Sequence, residues 1–303
     1  MKNYEQKIIE NIPHCVTETF IPCKKHKGKV RDTYNLGDNL LIVTTDRLSA
    51  FDRVLAAIPF KGAVLNLLSA WWFKQTKDIV GNHLISTPSP SAMLVKKCSV
   101  LPVEFVVRGY ITGSTNTSLW THYAAGKREY CGHILPEGLH KHQKLPTPIL
   151  TPTTKETEHD RPLSGEEILE NNILTKEEWE TASNLALKLF EYGSKIAAER
   201  GLILADTKYE FGKDENGEII LIDEIHTPDS SRFWLAENYE ERLSQNQDPD
   251  NLDKEIIRLW FKKQCDPYKD KVLPKAPDDI IAKVSLSYIR AYEMLTGSGV
   301  DFS

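Results

Sequence analysis

The sequence predicts an α+β fold made mainly of antiparallel sheets with flanking helices, not alternating βαβ units. Three observations carry this expectation. Strand patterns come in pairs between Lys29 and Tyr110. A further strand pair, Leu202 to Asp223, follows a long helix with its own start signal. The C-terminal third has helical spacing of its apolar residues.

In chain order, Lys29 to Asn35 and Leu40 to Thr45 read as strands joined through Gly37, Asp38 and Asn39. From Leu65 to Phe73 the spacing turns helical, with Leu65, Leu68 and Trp72 on one side. Ala92 to Lys97 and Glu104 to Tyr110 read as strands again. Lys144 to Leu163, with Pro146, Pro148, Pro152 and Pro162 among threonines and charges, reads as a long irregular segment. Thr175-x-x-Glu178 is a capping box opening a helix with the stripe Trp179, Ala182, Leu185, Leu189 and Ile196, and Gly201 suits its end. From Asp278 to Leu295, Ile281, Val284, Tyr288, Ala291 and Leu295 share a helical face. A division into residues 1–95 and 96–303 is expected, although no Gly/Ser linker marks it.

Bulk properties exclude several classes. With 303 residues the chain is long enough for one large domain or two modest ones, and a net charge of −5 disfavours polyanions such as nucleic acid. Cys15, Cys23, Cys98, Cys131 and Cys265 are odd in number and lack CxxC spacing, which argues against disulfides and structural zinc. No apolar leader or membrane-length run is visible. The expectation is a cytoplasmic protein.

The strand pair at Leu202 to Asp223 carries the strongest chemical pattern. Ile203, Ala205, Tyr209 and Phe211 point one way, and Asp206, Lys208 and Glu210 the other. Asn216-Gly217 favours a two-residue turn, which would set Glu215 against Glu218 and Glu210 against Asp223. Opposed carboxylates repel unless a cation sits between them, and hard oxygen donors suit Mg²⁺. A solvent-facing charged strand accounts for the pattern equally well, since a one-residue change of register removes the pairing. Glu224 falls on the other face in this reading.

Other segments offer anion contacts. The basic run Lys24 to Arg31 could cover a phosphate with Lys29 or Arg31, or form a solvated face. It is not a Walker A loop, and no GxGxxG occurs. Val106 to Ser114 ends an apolar strand with Arg108, then Gly109 and Gly113, which would admit close approach of a ligand. Thr227-Pro-Asp-Ser-Ser-Arg232 follows a strand and offers Asp229, Ser230 and Arg232. His140-Lys141-His142 lacks a third ligand and reads as surface.

Together these stretches resemble the SAICAR synthetase family of purine biosynthesis. The resemblance lies in Gly28-Lys-Val-Arg-Asp-Thr-Tyr34, Asp46-Arg-Leu-Ser-Ala-Phe-Asp52, Val107-Arg-Gly-Tyr-Ile-Thr-Gly-Ser114, Thr153-Thr-Lys-Glu156 with His159-Asp160, Leu204-Ala-Asp-Thr-Lys-Tyr-Glu-Phe-Gly212, Thr227-Pro-Asp-Ser-Ser-Arg-Phe-Trp234 and Tyr292-Glu-Met-Leu-Thr-Gly297. It runs from residue 28 to 297; residues 1–27 match weakly. The resemblance implies a two-lobed fold with a kinase- or ATP-grasp-like nucleotide cleft. It also implies a ligase joining L-aspartate to the carboxylate of the imidazole nucleotide CAIR, with ATP and Mg²⁺ as cofactors. On this footing residues 1–95 cover the nucleotide and 96–303 form the catalytic and substrate-binding lobe. Lys29 and Arg31 meet phosphates, and the backbone around Lys96 and Cys98 reads adenine. Glu210 and Asp223 hold metal. Arg108, Ser114, Asp206, Lys208, Asp229, Ser230 and Arg232 bind substrate, and Lys155 and Asp160 close over the reacting groups. A small-molecule kinase, or a nucleotide-binding module without turnover, is the alternative. His226 stands where the family pattern has an aliphatic residue.

Overall fold

The computed structural model describes residues 4–155 and 161–302. The first part comprises α1 (Glu5–Asn11), β1 (Lys25–Lys27), β2 (Arg31–Asn35), β3 (Asn39–Thr44), β4 (Arg47–Ala50), β5 (Arg53–Ala57), α2 (Lys61–Gln75), β6 (Leu84–Ser89) and β7 (Ala92–Lys96). Five of these strands form an antiparallel sheet in the order β1-β2-β3-β7-β6, while β4 and β5 make a separate hairpin. The sheet is covered on both faces: Ile42, Met93 and Val95 join the main core, and Tyr34, Val43 and Ala92 form a small cluster on the other side.

The chain then passes through Lys97 and Cys98 into β8 (Ser99–Tyr110), followed by α3 (Leu119–Ala124), β9 (Glu129–Tyr130), β10 (His133–Ile134), β11 (Lys144–Leu150), β12 (Thr153–Thr154), α4 (Gly165–Glu170), α5 (Lys176–Glu199), β13 (Leu202–Lys213), β14 (Ile219–Ile222), β15 (Ser231–Leu235), α6 (Tyr239–Ser244), α7 (Glu255–Gln264) and α8 (Asp278–Thr296). Here β11-β8-β13-β14 form a second antiparallel sheet, with β12 on β8 and β15 on β13. One face of β8 and β13 carries Phe105, Val107, Tyr209 and Phe211 into the core, where Trp179 of α5 stacks on Phe105. The other face is left for polar chemistry. The two sheets meet where Asn82 bridges Leu221.

Local signals mark several helix ends. Thr175 caps α5 with the full capping box, its hydroxyl accepting from the Glu178 N–H and Glu178 accepting from the Thr175 N–H. Gly297, at φ 72°, ends α8. The α8 stripe Ile281, Val284, Tyr288, Ala291 and Leu295 is buried throughout.

Two expectations are corrected. Lys144–Leu150 is a strand on β8, not an irregular loop; its prolines are tolerated because β11 is an edge strand with a register shift. The hairpin between β13 and β14 closes through three residues, not two. The Asp214 carboxylate accepts from the N–H groups of Asn216 (2.9 Å) and Glu218 (3.0 Å), and Gly217 takes φ 81°. That aspartate-anchored loop moves the register by one, so Glu210 faces Ile222 and not Asp223.

Candidate active site

The polar faces of β8 and β13 floor a cleft of about 710 Å³, roofed by the β4–β5 hairpin and the Lys29–Arg31 segment. Alternation along β13 brings Asp206, Lys208 and Glu210 to this floor, as the strand period requires.

The floor is a ladder of charges. In its first rung Asp206 pairs with Arg108 on β8 and with Arg232 on β15. Its carboxylate accepts from Arg108 at 3.4 Å and from Arg232 at 2.6 Å. Arg232 also reaches Glu255 at 3.6 Å, and Thr151 accepts from Arg108 at 2.8 Å. Burial disfavours the Arg232 charge, but Asp206 and Glu255 outweigh it and hold the guanidinium protonated. In the next rungs Lys208 donates to Glu104 at 2.6 Å and Glu210 at 2.7 Å, and Lys155 donates to Glu210 as well. Burial pushes the Glu210 carboxyl up, yet Lys208 and Lys155 hold it at about 2.

Asp223 joins this group by a route the register does not give. β14 stops at Ile222, and Asp223 takes φ 65°, a left-handed conformation uncommon outside glycine. Both Asp223 and Glu224 then line the cleft, so the exclusion of Glu224 is corrected. Arg31 bridges them, 2.9 Å from each carboxylate. Burial raises Asp223 to about 6, because one guanidinium is shared between two carboxylates and Glu210 adds its repulsion.

The Thr227–Arg232 loop is anchored from below. Asp229 accepts from the Tyr288 hydroxyl at 2.7 Å and lies 2.9 Å from Lys61 Nζ. Burial would raise the Asp229 carboxyl, but Lys61 and Lys254 hold it well below the usual range. Lys254 is itself lowered to about 8 by burial, against the pull of Asp229, and it lines the cleft with Arg258. Ser230 lines the cleft, and its carbonyl accepts from the Lys208 N–H at 3.0 Å.

Not every expected residue arrives. Lys29 lines the cleft, paired to Asp52 at 2.7 Å, but Lys96 and Cys98 are not among the lining residues. The Lys96 N–H is already bonded to the His83 carbonyl. Ser114 lies just beyond the lining stretch Thr115–Ser118, and its carbonyl accepts from Lys262 at 2.7 Å. Asp160 lies outside the described residues. The glycines serve packing: a Cβ on Gly109 would meet the Phe190 ring at 3.0 Å, and one on Gly113 would strike Ser118 at 2.4 Å. His142 is not surface. It is buried between Thr112 (2.9 Å) and Asp248 (2.7 Å). Among the described residues no cluster of three or more His, Cys, Asp or Glu is arranged for a metal. Sequence reasoning missed Glu104, Lys61, Lys254 and Arg258. Of these Glu104 was the most accessible, since it sits two and four residues from Val106 and Arg108 on one strand face.

A deep cleft between two antiparallel sheets, floored by matched carboxylates and cations, defines an enzyme for small, highly charged substrates. The sequence profile of the family described as SAICAR synthetase matches residues 24–275. The phosphoribosylaminoimidazole-succinocarboxamide synthase of Legionella pneumophila (strain Paris) is 60% identical over 287 residues, covering 94% of this chain and 92% of that protein. The chloroplastic enzyme of the same name from Arabidopsis thaliana is 55% identical, with 97% of this chain and 73% of its own length covered. Among solved structures, the SAICAR synthase of Saccharomyces cerevisiae complexed with SAICAR superposes with a TM-score of 0.79 at 35% identity, covering 94% and 99% of the two chains. A type-2 SAICAR synthetase in complex with ADP gives 0.71 at 26%, covering 92% and 100%. The chain belongs to the SAICAR synthetase family, whose members are ATP-dependent ligases of purine biosynthesis with an ATP-grasp-like fold.

Proposed function

We propose that this cleft joins L-aspartate to the carboxylate of CAIR, giving SAICAR, ADP and phosphate, and that the polar face of β13 is its reaction floor. The observation that carries the proposal is the ladder Asp206, Lys208 and Glu210, each rung held by charges from neighbouring strands. Such preorganised charge is what transfer between anions requires.

A carboxylate is a poor electrophile at neutral pH. Attack of a CAIR carboxylate oxygen on the γ-phosphorus breaks its bond to ADP and gives an acyl phosphate. The aspartate amine then attacks the acyl carbon, phosphate leaves with the bonding pair, and the amine loses a proton to solvent. Arg108 and Arg232, oriented by Asp206, receive an anionic substrate group, and Lys254 and Arg258 add positive charge to the same wall. Lys208 stands where charge passes between the reacting groups. Lys155, at the edge of the described chain, closes over it. Lys29 is the more exposed of the two roof cations and meets phosphate; Arg31 is held by Asp223 and Glu224. We assign residues 1–95 to the nucleotide-covering lobe and 96–303 to the catalytic lobe, with adenine near the Lys96–Cys98 crossing between the two sheets.

Glu210 and Asp223 fit Mg²⁺. Both are hard-oxygen donors on one cleft, and a pair of carboxylates completed by phosphate oxygens and water is the usual protein share of such a site. When bound there, the ion would neutralise phosphate charge. A cytoplasmic setting is supported by five free cysteines; no helix among the described residues is long and apolar enough to cross a membrane.

The test is ADP release with each substrate omitted in turn. Release that needs CAIR and responds to aspartate supports the ligase. ADP formation without CAIR would favour a kinase-like or hydrolytic activity, and nucleotide binding without turnover would leave only a binding module.

A further inference from the structure

The turn between β4 and β5 is made by Phe51 and Asp52, at φ 53° and 58°. Aspartate tolerates this region, but a left-handed phenylalanine is costly, and the surroundings must hold it. Both line the cleft, as does Tyr268 from the segment after α7. The Tyr268 ring meets Phe51 edge-on at 5.2 Å between centroids. Its hydroxyl accepts from the Asn116 N–H at 3.3 Å, in the separate segment Thr115–Ser118 that also lines the cleft.

The segment bearing Tyr268 is itself fastened at both ends. Arg53, next to the strained turn, donates to the carbonyls of Pro267 (3.4 Å), Asp270 (2.6 Å) and Lys271 (3.0 Å). Asp266 accepts from the Tyr268 N–H at 3.1 Å. Lys262, at the end of α7, donates to the Ser114 carbonyl at 2.7 Å. One short segment thus ties the nucleotide-covering hairpin to the loop that follows the Arg108 strand.

We propose that Tyr268 is a positioning residue for the ligation. Through its ring it holds the Phe51–Asp52 turn, and through its hydroxyl the 115–118 loop, so that the phosphate side and the carboxylate side of the cleft stay in register. The proposal rests on the assignment of phosphates to the Lys29 wall and of the acceptor to the Arg108 wall. It makes the two contacts separable, since phenylalanine keeps the ring and removes only the hydroxyl.

Steady-state kinetics of Tyr268→Phe, Tyr268→Ala and Arg53→Met, with melting temperatures measured alongside, test it. Tyr268→Phe should raise KM for CAIR or aspartate about fivefold, as expected for one lost hydrogen bond, and leave KM for ATP unchanged. Tyr268→Ala and Arg53→Met should also raise KM for ATP and lower kcat by about tenfold to a hundredfold, the scale of a misplaced reacting group. Unchanged constants in Tyr268→Phe overturn the proposal. So does a uniform loss for every substrate that tracks a fall in melting temperature, because a merely structural residue would not separate the substrates. Wild-type protein that forms no amide would overturn the assignment on which the proposal rests, and the proposal with it; wild-type turnover with an indifferent Tyr268→Phe overturns the proposal alone.

Discussion

Glu210 and Asp223 reach the same cleft differently. Glu210 is delivered by strand alternation and Asp223 by one left-handed backbone step beyond the end of β14. Their titration differs accordingly. Lys208 and Lys155 overcome burial and keep Glu210 at about 2, whereas burial and neighbouring carboxylates raise Asp223 to about 6. In the proposed Mg²⁺ site Asp223 must be ionised, so lowering the pH through the raised value would remove that ligand. Between about pH 7 and pH 5 the Mg²⁺ needed for half-maximal activity should rise about tenfold, and Asp223→Asn should flatten that rise; an equal rise in the variant would contradict it. Glu104 makes a second prediction at this scale. It shares Lys208 with Glu210 at 2.6 Å against 2.7 Å. Glu104→Gln should shift Lys208 towards Glu210 and weaken metal binding about tenfold, about the effect of one charged hydrogen bond, with little change in melting temperature.

At the scale of elements, strand faces and helix caps were legible in the sequence because both obey local rules. The polar face of β13 is the face read from alternation, and α5 starts at Thr175 with the box its sequence spells. The turn was not legible. Asn216-Gly217 favours a two-residue loop, but the Asp214 side chain captures two N–H groups and adds a residue. Side-chain competition of this kind leaves no periodic signal. His226, a departure in the Thr227 loop, fits because Gly193 on α5 leaves room: a Cβ there would lie 2.3 Å from its ring. Gly193→Ala should therefore destabilise the fold by about 3 kcal/mol, the upper end for overpacking, measurable by urea unfolding. A near-neutral result would mean that α5 and the loop are not packed as described.

For the whole molecule, what the sequence concealed were contacts between distant segments. Lys61 on α2 meets Asp229, and Tyr288 on α8 meets the same carboxylate, from sequence separations no pattern reaches. Buried histidines show how the assembled fold responds to pH. Burial lowers His226 to about 3; burial and then Arg31 lower His83 to about 3. A group with a depressed folded pKa that binds its proton only when unfolded destabilises the fold as pH falls. The loss begins near the ordinary histidine value and continues towards the folded one. Each should cost about 2 kcal/mol between about pH 6.5 and pH 5, and His226→Asn should remove one such share from the pH slope of urea unfolding. The proposed Mg²⁺ site of Glu210 and Asp223 over the floor of β13 is the central claim. Mn²⁺, standing in for Mg²⁺, can be titrated by electron paramagnetic resonance into wild type, Glu210→Gln and Asp223→Asn with a non-hydrolysable ATP analogue. Binding at least about tenfold weaker in both variants, at unchanged melting temperature, is the predicted result; wild-type affinity in either would contradict the assignment.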